Sequence, residues 1–435
     1  MLSLTLPIWR DQQTETVWLE AEQFEQAAAL STAAIGEAQQ WQVYLQALAY
    51  AGFADWLRDR TPALQLDTNR CTLLQPAYAS SLSGVCRLTV QGFRLCLVVI
   101  DHPLAQAADI PRAAFELPDF QANFYVLVEV QEEQAVVFIR GFISHQALQA
   151  VSLTAQQDWT YGVPLALWDL DPDRLLLQLT LRQPEPMQQS ASAAVSTASL
   201  TLGNLAACLQ ELRDTDGSLW QVFTWPQGRY LLSQPQLLTL MYQWRRQPTA
   251  ALALRLQEAL ALLTQPAVNV AGWLTHQLDA LAQRCAIYFA PSGVPAFRSI
   301  DKFEQAITAL RQQGLTLPET AVHAYQDIDW QGLPLRLCTL TWASDQHWSM
   351  LILIGMQTGA ALPDALALRI SKVSELICEE MTELDDPFLY AQVSGTPSDR
   401  FLVTLTLPEG PVWMSVPYQF QRDDKTRSIS FEVNE

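Results

Sequence analysis

Lysine is almost missing from this chain: Lys302, Lys372 and Lys425 are the only three in 435 residues. Arginine brings the basic side chains to 26, but 45 acidic ones leave a formal charge of −19. Such a surface repels phosphate backbones and anionic lipid. It argues against direct contact with nucleic acid or membrane unless arginines cluster locally in the fold, and it favours a protein partner of basic character. Charged residues are scarce as a class, at 16%, while 49% are apolar, so the chain can bury enough surface to offset its ordering entropy. A long uninterrupted apolar run is also missing. The most apolar segment, "LRLCTLTWASDQHWSMLILIGMQ", is broken by Asp345, Gln346 and His347 and reads as a hairpin, not a bilayer span. The opening "MLSLTLPIWRDQQTE" lacks the basic start and sustained apolar stretch of a secretory signal. A soluble, cytoplasmic protein is expected.

The usual sequence signatures of chemistry are missing too. Seven cysteines, at 71, 86, 96, 208, 285, 338 and 378, include no C-x-x-C pair, which points to reduced, buried thiols. Cys86 and Cys96 are spaced to face each other across a hairpin and are expected to form a buried thiol pair. The histidines, His102, His145, His276, His323 and His347, are isolated, with no H-x-x-x-H or H-x-E spacing to converge two ligands. Ser144 precedes His145, but adjacent strand residues point to opposite faces and make no nucleophile–base pair. "DLDPD" sets Asp169, Asp171 and Asp173 as a calcium loop begins. Arg174 then replaces the turn glycine and Thr180 the bidentate glutamate, so a solvated turn is expected. No hydrolase elbow, phosphate-binding glycine loop or dinucleotide fingerprint occurs. No catalytic residue, cofactor or metal is expected, and the protein reads as a non-enzyme.

What is there is a succession of periodic blocks. Residues 18–60 are helical, with Trp41, Leu45, Leu48, Gly52, Phe53, Trp56 and Leu57 on one stripe before Pro62. Residues 85–101 give two short strands hinged at Gly92, and 124–142 a hairpin with Glu132 and Glu133 at its tip. A further strand pair is expected around 163–182, split by "DLDPD". Residues 1–182 thus form an α+β domain. Residues 183–200, rich in Ser, Ala, Gln and Pro, make a linker.

Residues 201–320 are mainly helical. Leu252, Leu256, Ala259, Leu260 and Leu263 share a face, and "DKFEQAITALRQQG" carries Asp301 and Glu304 at capping-box spacing ahead of Gly314. "GNLAACL" (203–209) and "VNVAGWL" (268–274) echo each other, each with an Asn placed to cap a helix; duplication and chance agreement are equally good accounts. From 321 to 421 the period is two, with turns between short runs, as an antiparallel, immunoglobulin-like β-sandwich requires. Residues 422–435 are a polar tail. Within the sandwich, "SGTPSD" is a turn between strands, with Arg400 expected to meet Asp399 or a nearby acid at the surface. The fold class is multidomain α+β.

Several of these stretches resemble the cyanobacterial domain-of-unknown-function 1822 family. The carriers are "YLQALAYAGFADWL" (44–57), "VCRLTV", the "IP" before "FYVLVEV" and "IRGF", then "VNVAGWL", "LPDALALRISK" (362–372) and "FLYAQVSGTPSDRFLVTLTL" (388–407). The chain departs where family members carry Gly-Glu or Asp-Glu before the last Phe-led strand, having Ser398, Asp399 and Arg400 there. A Leu-x-x-Trp-Leu segment is also blurred. The family has no assigned activity; the resemblance implies a regulatory or scaffolding role near alternative sigma factors and signalling proteins.

Fourteen tryptophans supply aromatic anchors. Trp330 and Trp348, with Glu379, Glu380, Glu383, Asp385 and Asp386 of an acidic run opened by Glu375, are the expected contact surface for a protein partner, although a solvated face is the plainer reading of the run. Two other functions fit the sequence: a small-molecule or carbohydrate-binding module built on tryptophan-bearing loops, and a hydrolase assembled from residues distant in sequence. Composition sets no oligomeric state.

Overall fold

The computed structural model describes residues 15–102, 105–184, 207–208, 211–212, 218–289, 317–344, 347–408 and 410–421. The capping-box helix at 301–314, the tail 422–435, nearly all of the linker and all but two residues of "GNLAACL" lie outside the described residues. The chain divides into two compact units, Met1–Thr249 and Ala250–Glu435.

In the first unit, helices α1 (Ala21–Ser31) and α2 (Glu37–Arg60) accompany a six-stranded sheet. Its order is β1 (Glu15–Trp18), β7 (Val136–Ser144), β6 (Phe124–Gln131), β4 (Phe93–Ile100), β3 (Gly84–Val90) and β2 (Leu66–Asp67). The β3–β4 hairpin turns at Gln91 and Gly92, both at positive φ (49° and 83°), the two-residue geometry that matches strand twist. The β6–β7 hairpin turns through Glu132 and Glu133 as expected. β4 and β6 are parallel, so the chain must cross over between them. That crossover carries β5 (Ala107–Pro111) and a short helix, Arg112–Glu116.

Leu45, Leu48, Phe53, Trp56 and Leu57 of α2 are buried with β3, β4, β6 and β7 in one core. Trp41 is not: it is 48% exposed and packs on Tyr44. The inward face of the first turns is instead Gln39 and Val43, and the Gln39 amide donates to the Ser218 hydroxyl. Gly52 lets α2 approach β7 closely, since a Cβ there would stand 2.7 Å from Val137.

Thr160–Pro164 (β9) joins β5 and β8 (Thr154–Ala155) in a three-stranded sheet. The second strand expected near 163–182 is a helix, Pro172–Leu181. Asp171 caps it, Pro172 fits its first turn, and Leu175 and Leu179 point inward one turn apart. The "DLDPD" acids serve this start: Asp169 and Asp171 meet Arg174 at 3.1 and 3.4 Å, and Asp173 meets Arg60 at 2.6 Å. The helices Trp225–Leu232 and Pro235–Arg246, expected in a separate middle block, belong to this unit. They are tied to it by Trp225 Nε1 donating to Glu116 at 2.8 Å, Tyr242 Oη to the Ala33 carbonyl at 2.6 Å and Tyr78 Oη to the Leu232 carbonyl at 3.2 Å. The expected block 201–320 is therefore divided, because its later helix, Ala250–Thr264, packs in the second unit.

In the second unit, β11 (Ile287–Phe289), β12 (Val322–Trp330), β13 (Leu333–Ala343), β14 (Trp348–Met356) and β17 (Phe388–Gly395) form an antiparallel sheet. A second sheet runs β10 (Val268–Asn269), β20 (Tyr418–Gln419), β18 (Arg400–Thr406), β15 (Ala367–Ser371) and β16 (Leu376–Met381), with β19 (Trp413–Met414) on β18. Leu335, Ile352 and Ile354 of one sheet share a core with Leu368, Ile370, Val403 and Leu405 of the other. This is a β-sandwich, and the fold is multidomain α+β. The sandwich reaches back beyond 321 because β10 and β11 extend its sheets. Asn269 caps the turn Val270–Thr275 as expected, accepting from the Ala271 N–H at 3.1 Å.

Cys86 and Cys96 are buried free thiols, Sγ to Sγ 3.3 Å. The Cys86 hydrogen bond and burial hold Cys96 well above the ordinary thiol pKa. Ser144 caps the short helix His145–Gln149, accepting from the Ala147 N–H. Tyr125 Oη donates to the Ala114 carbonyl at 2.7 Å and so accepts from His145 Nδ1 at 3.0 Å, leaving Nε2 to accept from the Gln149 amide. Neutral imidazole satisfies all of these bonds.

Gly52→Ala is expected to cost about 1–3 kcal/mol by overpacking α2 against β7. Urea denaturation checks it, and the added substitution Val137→Ala should recover part of the loss. A second prediction concerns pH. Burial first, then the Arg94 charge, lowers the His145 pKa. An unfolded histidine titrates near about 6.5, so on acidification the unfolded chain takes up the proton first. The stability contributed by His145 is complete above about pH 6.5 and is lost as pH falls through the lower folded value. His145→Asn, which keeps a donor to Tyr125, should flatten the fall in urea midpoint between about pH 7.5 and about pH 5; equal slopes would refute the assignment.

Candidate functional site

The helix Ala250–Thr264 is apolar along "ALALRLQEALALL" except at Arg255, Gln257 and Glu258, and Glu258 is fully buried. An isolated carboxylate there would be costly, so its partners define the local structure. Arg369 Nε donates to Glu258 Oε1 at 3.0 Å; Arg255 Nη1 and Ser371 Oγ donate to Oε2 at 2.6 and 2.8 Å. Arg369 and Ser371 alternate along β15 with Leu368 and Ile370, which are part of the sandwich core. One face of β15 thus serves the core and the other holds the helix. Burial works against the Arg369 charge, but Glu258 and Glu379 outweigh it and raise the pKa.

Arg400 completes the attachment. It does not meet Asp399, as expected from sequence; its Nη1 donates to the Leu262 carbonyl at 3.2 Å, in the last turn of the same helix, where cations are favoured. Asp399 instead pairs with Lys372 Nζ at 3.3 Å and closes the "SGTPSD" turn by accepting from the Thr396 N–H at 2.7 Å. Partial burial disfavours the Asp399 charge, yet the Thr396 bonds and Lys372 prevail and lower its pKa. The link is the turn expected.

Beyond β15 lies β16, the terminal strand of its sheet. Thr382 N–H bonds the Leu366 carbonyl, so Leu366 and Thr382 form a hydrogen-bonded pair. Ala367 opposite Met381 and Arg369 opposite Glu379 are then the non-bonded pairs of the ladder. The backbone N–H and C=O groups of Glu379 and Met381 therefore point away from β15, along the open edge. Around them Met381 is 59% and Leu384 79% exposed, and Ile377 and Tyr390 also reach solvent. Glu379 is bound to Arg369. Glu375, Glu380, Glu383, Asp385 and Asp386 are in no ion pair among the described residues; Asp386 accepts from the Glu383 N–H, and Glu380 from the Cys378 thiol at 3.7 Å. Burial and then Glu380 raise the Cys378 pKa, so this thiol is held protonated.

Trp330 and Trp348 are not part of this surface. They are 6% and 0% exposed, and Trp348 lies between Phe401 and Phe420, its Nε1 donating to the Thr396 carbonyl. The strand period that made them visible as aromatic strand residues also turns them inward. The acids expected at the surface are gathered on one edge, and its apolar component comes from Ile377, Met381, Leu384 and Tyr390. Sequence reasoning passed over β16 because two of the six residues of "LICEEM" are acidic. The available signal was alternation, with Leu376 and Cys378 half-buried between more exposed neighbours.

A strand edge that is unpaired among the described residues, with exposed apolar side chains and carboxylates in no ion pair among them, is able to receive an extended chain. The sequence profile of a family described as a protein of unknown function, DUF1822, matches residues 17–410. The chain belongs to the DUF1822 family. No curated protein and no solved structure matches it. The DUF1822 match spans residues of both units, and the buried Glu258 cluster and the β16 edge lie inside it.

Removing Glu258 would leave Arg255 and Arg369 buried without their shared counter-charge. Glu258→Ala should destabilise the second unit by about 3–5 kcal/mol, read from chemical denaturation. A loss below about 1 kcal/mol would mean that water already screens the pair.

Proposed function

We propose that this DUF1822 protein is a protein-interaction module whose second unit receives an extended, Lys- or Arg-bearing segment along the free edge of β16. The reading is carried by one observation: the outward backbone groups of Glu379 and Met381 are flanked by five carboxylates that have no cation among the described residues. Strand addition supplies main-chain hydrogen bonds, alternate side chains supply specificity, and the acids supply charge selection. A competing account treats the acids as protection against edge-to-edge aggregation. The exposed Ile377, Met381 and Leu384 favour recognition, since a merely protected edge gains nothing from displaying them. A role in regulation, including contact with transcription machinery, is what the family resemblance adds. A carbohydrate platform in the second unit would require open tryptophans; Trp273, Trp330 and Trp348 are core residues there, and Trp342 and Trp413 are partly buried against the cores.

A peptide of about eight residues alternating Lys and Val, long enough for one strand, is the probe. It should bind, weaken by about tenfold between about 50 and 300 mM salt, and slow hydrogen exchange at 376–381. The double substitution Glu380→Lys and Glu383→Lys should abolish binding. Met381→Pro, which removes only an outward N–H, should weaken it while leaving the fold intact. Protection elsewhere on the protein, or indifference to charge reversal, sinks the proposal.

A further inference from the structure

We propose that the first unit carries an anion site for a phosphate group, formed by Arg70, Arg87 and Arg94. Arg94 Nη1 donates to the Pro118 carbonyl at 2.7 Å and Arg87 Nε to the adjacent Asp119 carbonyl at 3.3 Å, so the two guanidinium groups converge on one short loop. Arg87 is also placed by its surroundings. Its guanidinium lies 3.8 Å from the Phe120 ring centroid and 5.0 Å from that of Tyr78.

The backbone at Arg87 has φ 61°, an uncommon conformation for a residue with a Cβ, where the β3–β4 register slips between Val85 and Leu88. Such a bulge re-aims one side chain at a local cost, a device frequent beside binding sites. Arg70 is brought in by its loop: two residues on, the Thr72 N–H donates to the Cys86 carbonyl at 3.1 Å and the Thr72 hydroxyl accepts from the Cys86 N–H at 2.8 Å. Arg70 itself is exposed.

The charge balance is what points to a ligand. Elsewhere in this unit Arg58, Arg60, Arg112, Arg140 and Arg174 each meet a carboxylate and Arg246 binds the Thr32 and Ala33 carbonyls, while Arg182 and Arg229 are in no ion pair among the described residues. None of Arg70, Arg87 and Arg94 is in an ion pair among the described residues, and the loop that Arg87 and Arg94 bind carries one acid, Asp119. In a chain of charge −19, three gathered arginines facing one acid are an unsatisfied excess, and like charges held together are repulsive until a counter-ion arrives. Planar guanidinium forks match phosphate oxygens two at a time, and a dianion answers the net excess better than a carboxylate does. This site is independent of the β16 edge. It also falls under the exception attached above to the acidic composition, a local arginine cluster.

Titration calorimetry on the full chain at constant ionic strength, with inorganic phosphate and ribose 5-phosphate as separate probes against chloride, tests it. Saturable binding of either probe is expected, the tighter one identifying a free ion or a sugar phosphate as the source. Arg70→Gln, at an exposed position, and Arg87→Lys, which keeps charge but removes the fork, should each lose about tenfold in affinity. If Arg87→Lys perturbs folding by circular dichroism, Arg94→Gln takes its place beside Arg70→Gln. Lack of saturable binding, unchanged affinity in the variants, or binding of an oligonucleotide without either small phosphate would overturn the site.

Discussion

A carboxylate without any solvent exposure, Glu258, governs the architecture of the second unit. Once it is buried in an otherwise apolar helix, the cost of desolvating it is recovered only if the sheet beneath offers cations and a hydroxyl in the right places. Arg369 and Ser371 on β15 and Arg255 one helical turn away satisfy that requirement. The identities on β15 follow: alternate positions must be aliphatic for the core and polar for the helix. The pairing also fixes register, because a one-residue slip of β15 would turn Arg369 into the sandwich interior.

The same constraint reaches the open edge. Arg369 spans from buried Glu258 to Glu379 on β16, so one guanidinium links the helix to the strand whose outer side is free. Glu379 is thereby paired and held, while Glu380, Glu383 and Asp385 are in no ion pair among the described residues. An incoming basic segment would meet a strand already rigid in the middle and electrostatically open around it. Rigidity before contact reduces the ordering cost of association.

Much of this was legible in the sequence, and the failures are instructive. Period two identified the main strands of the sandwich, and the Asn269 cap and the turn at Gly92 followed from local chemistry alone. The helix at Pro172–Leu181 was misread because its five leucines fit both periods, and the decisive Asp171–Pro172 start was counted as a turn. The two compact units divide the chain differently from the expectation for another reason: Trp225 and Tyr242 each act through a single hydrogen bond, and Glu258 through Arg369 and Ser371, to residues far along the chain, and composition carries no trace of such pairings. For the site, charge placed the acids correctly, but strand propensity drew attention to Trp330 and Trp348, whose period argues for the interior. What sequence could not express was that β16 has no hydrogen-bonded strand on one side among the described residues, a property of topology and not of any residue.

The scarcity of lysine finds a physical reason in these contacts. Arg255 uses two of its nitrogens at once, on Glu258 and on the Lys372 carbonyl, and Arg369 likewise divides between Glu258 and Glu379. Arg112 binds Glu116 while lying over Trp225, 4.6 Å from its ring centroid, and Arg87 stacks on Phe120 while donating to a carbonyl. Each role needs a planar group with donors in several directions and a face that tolerates aromatic carbon, which an ammonium does not provide. Lysine's ordinary service, keeping a surface hydrated and charged, is performed here by acids. A chain that reserves its cations for internal joints, and leaves its carboxylates outside, acquires a large negative charge as a by-product. Arginines left without an acid stand out against that background, which is why Arg87 and Arg94, turned onto one short loop beside Phe120, carry more meaning than they would in a basic protein.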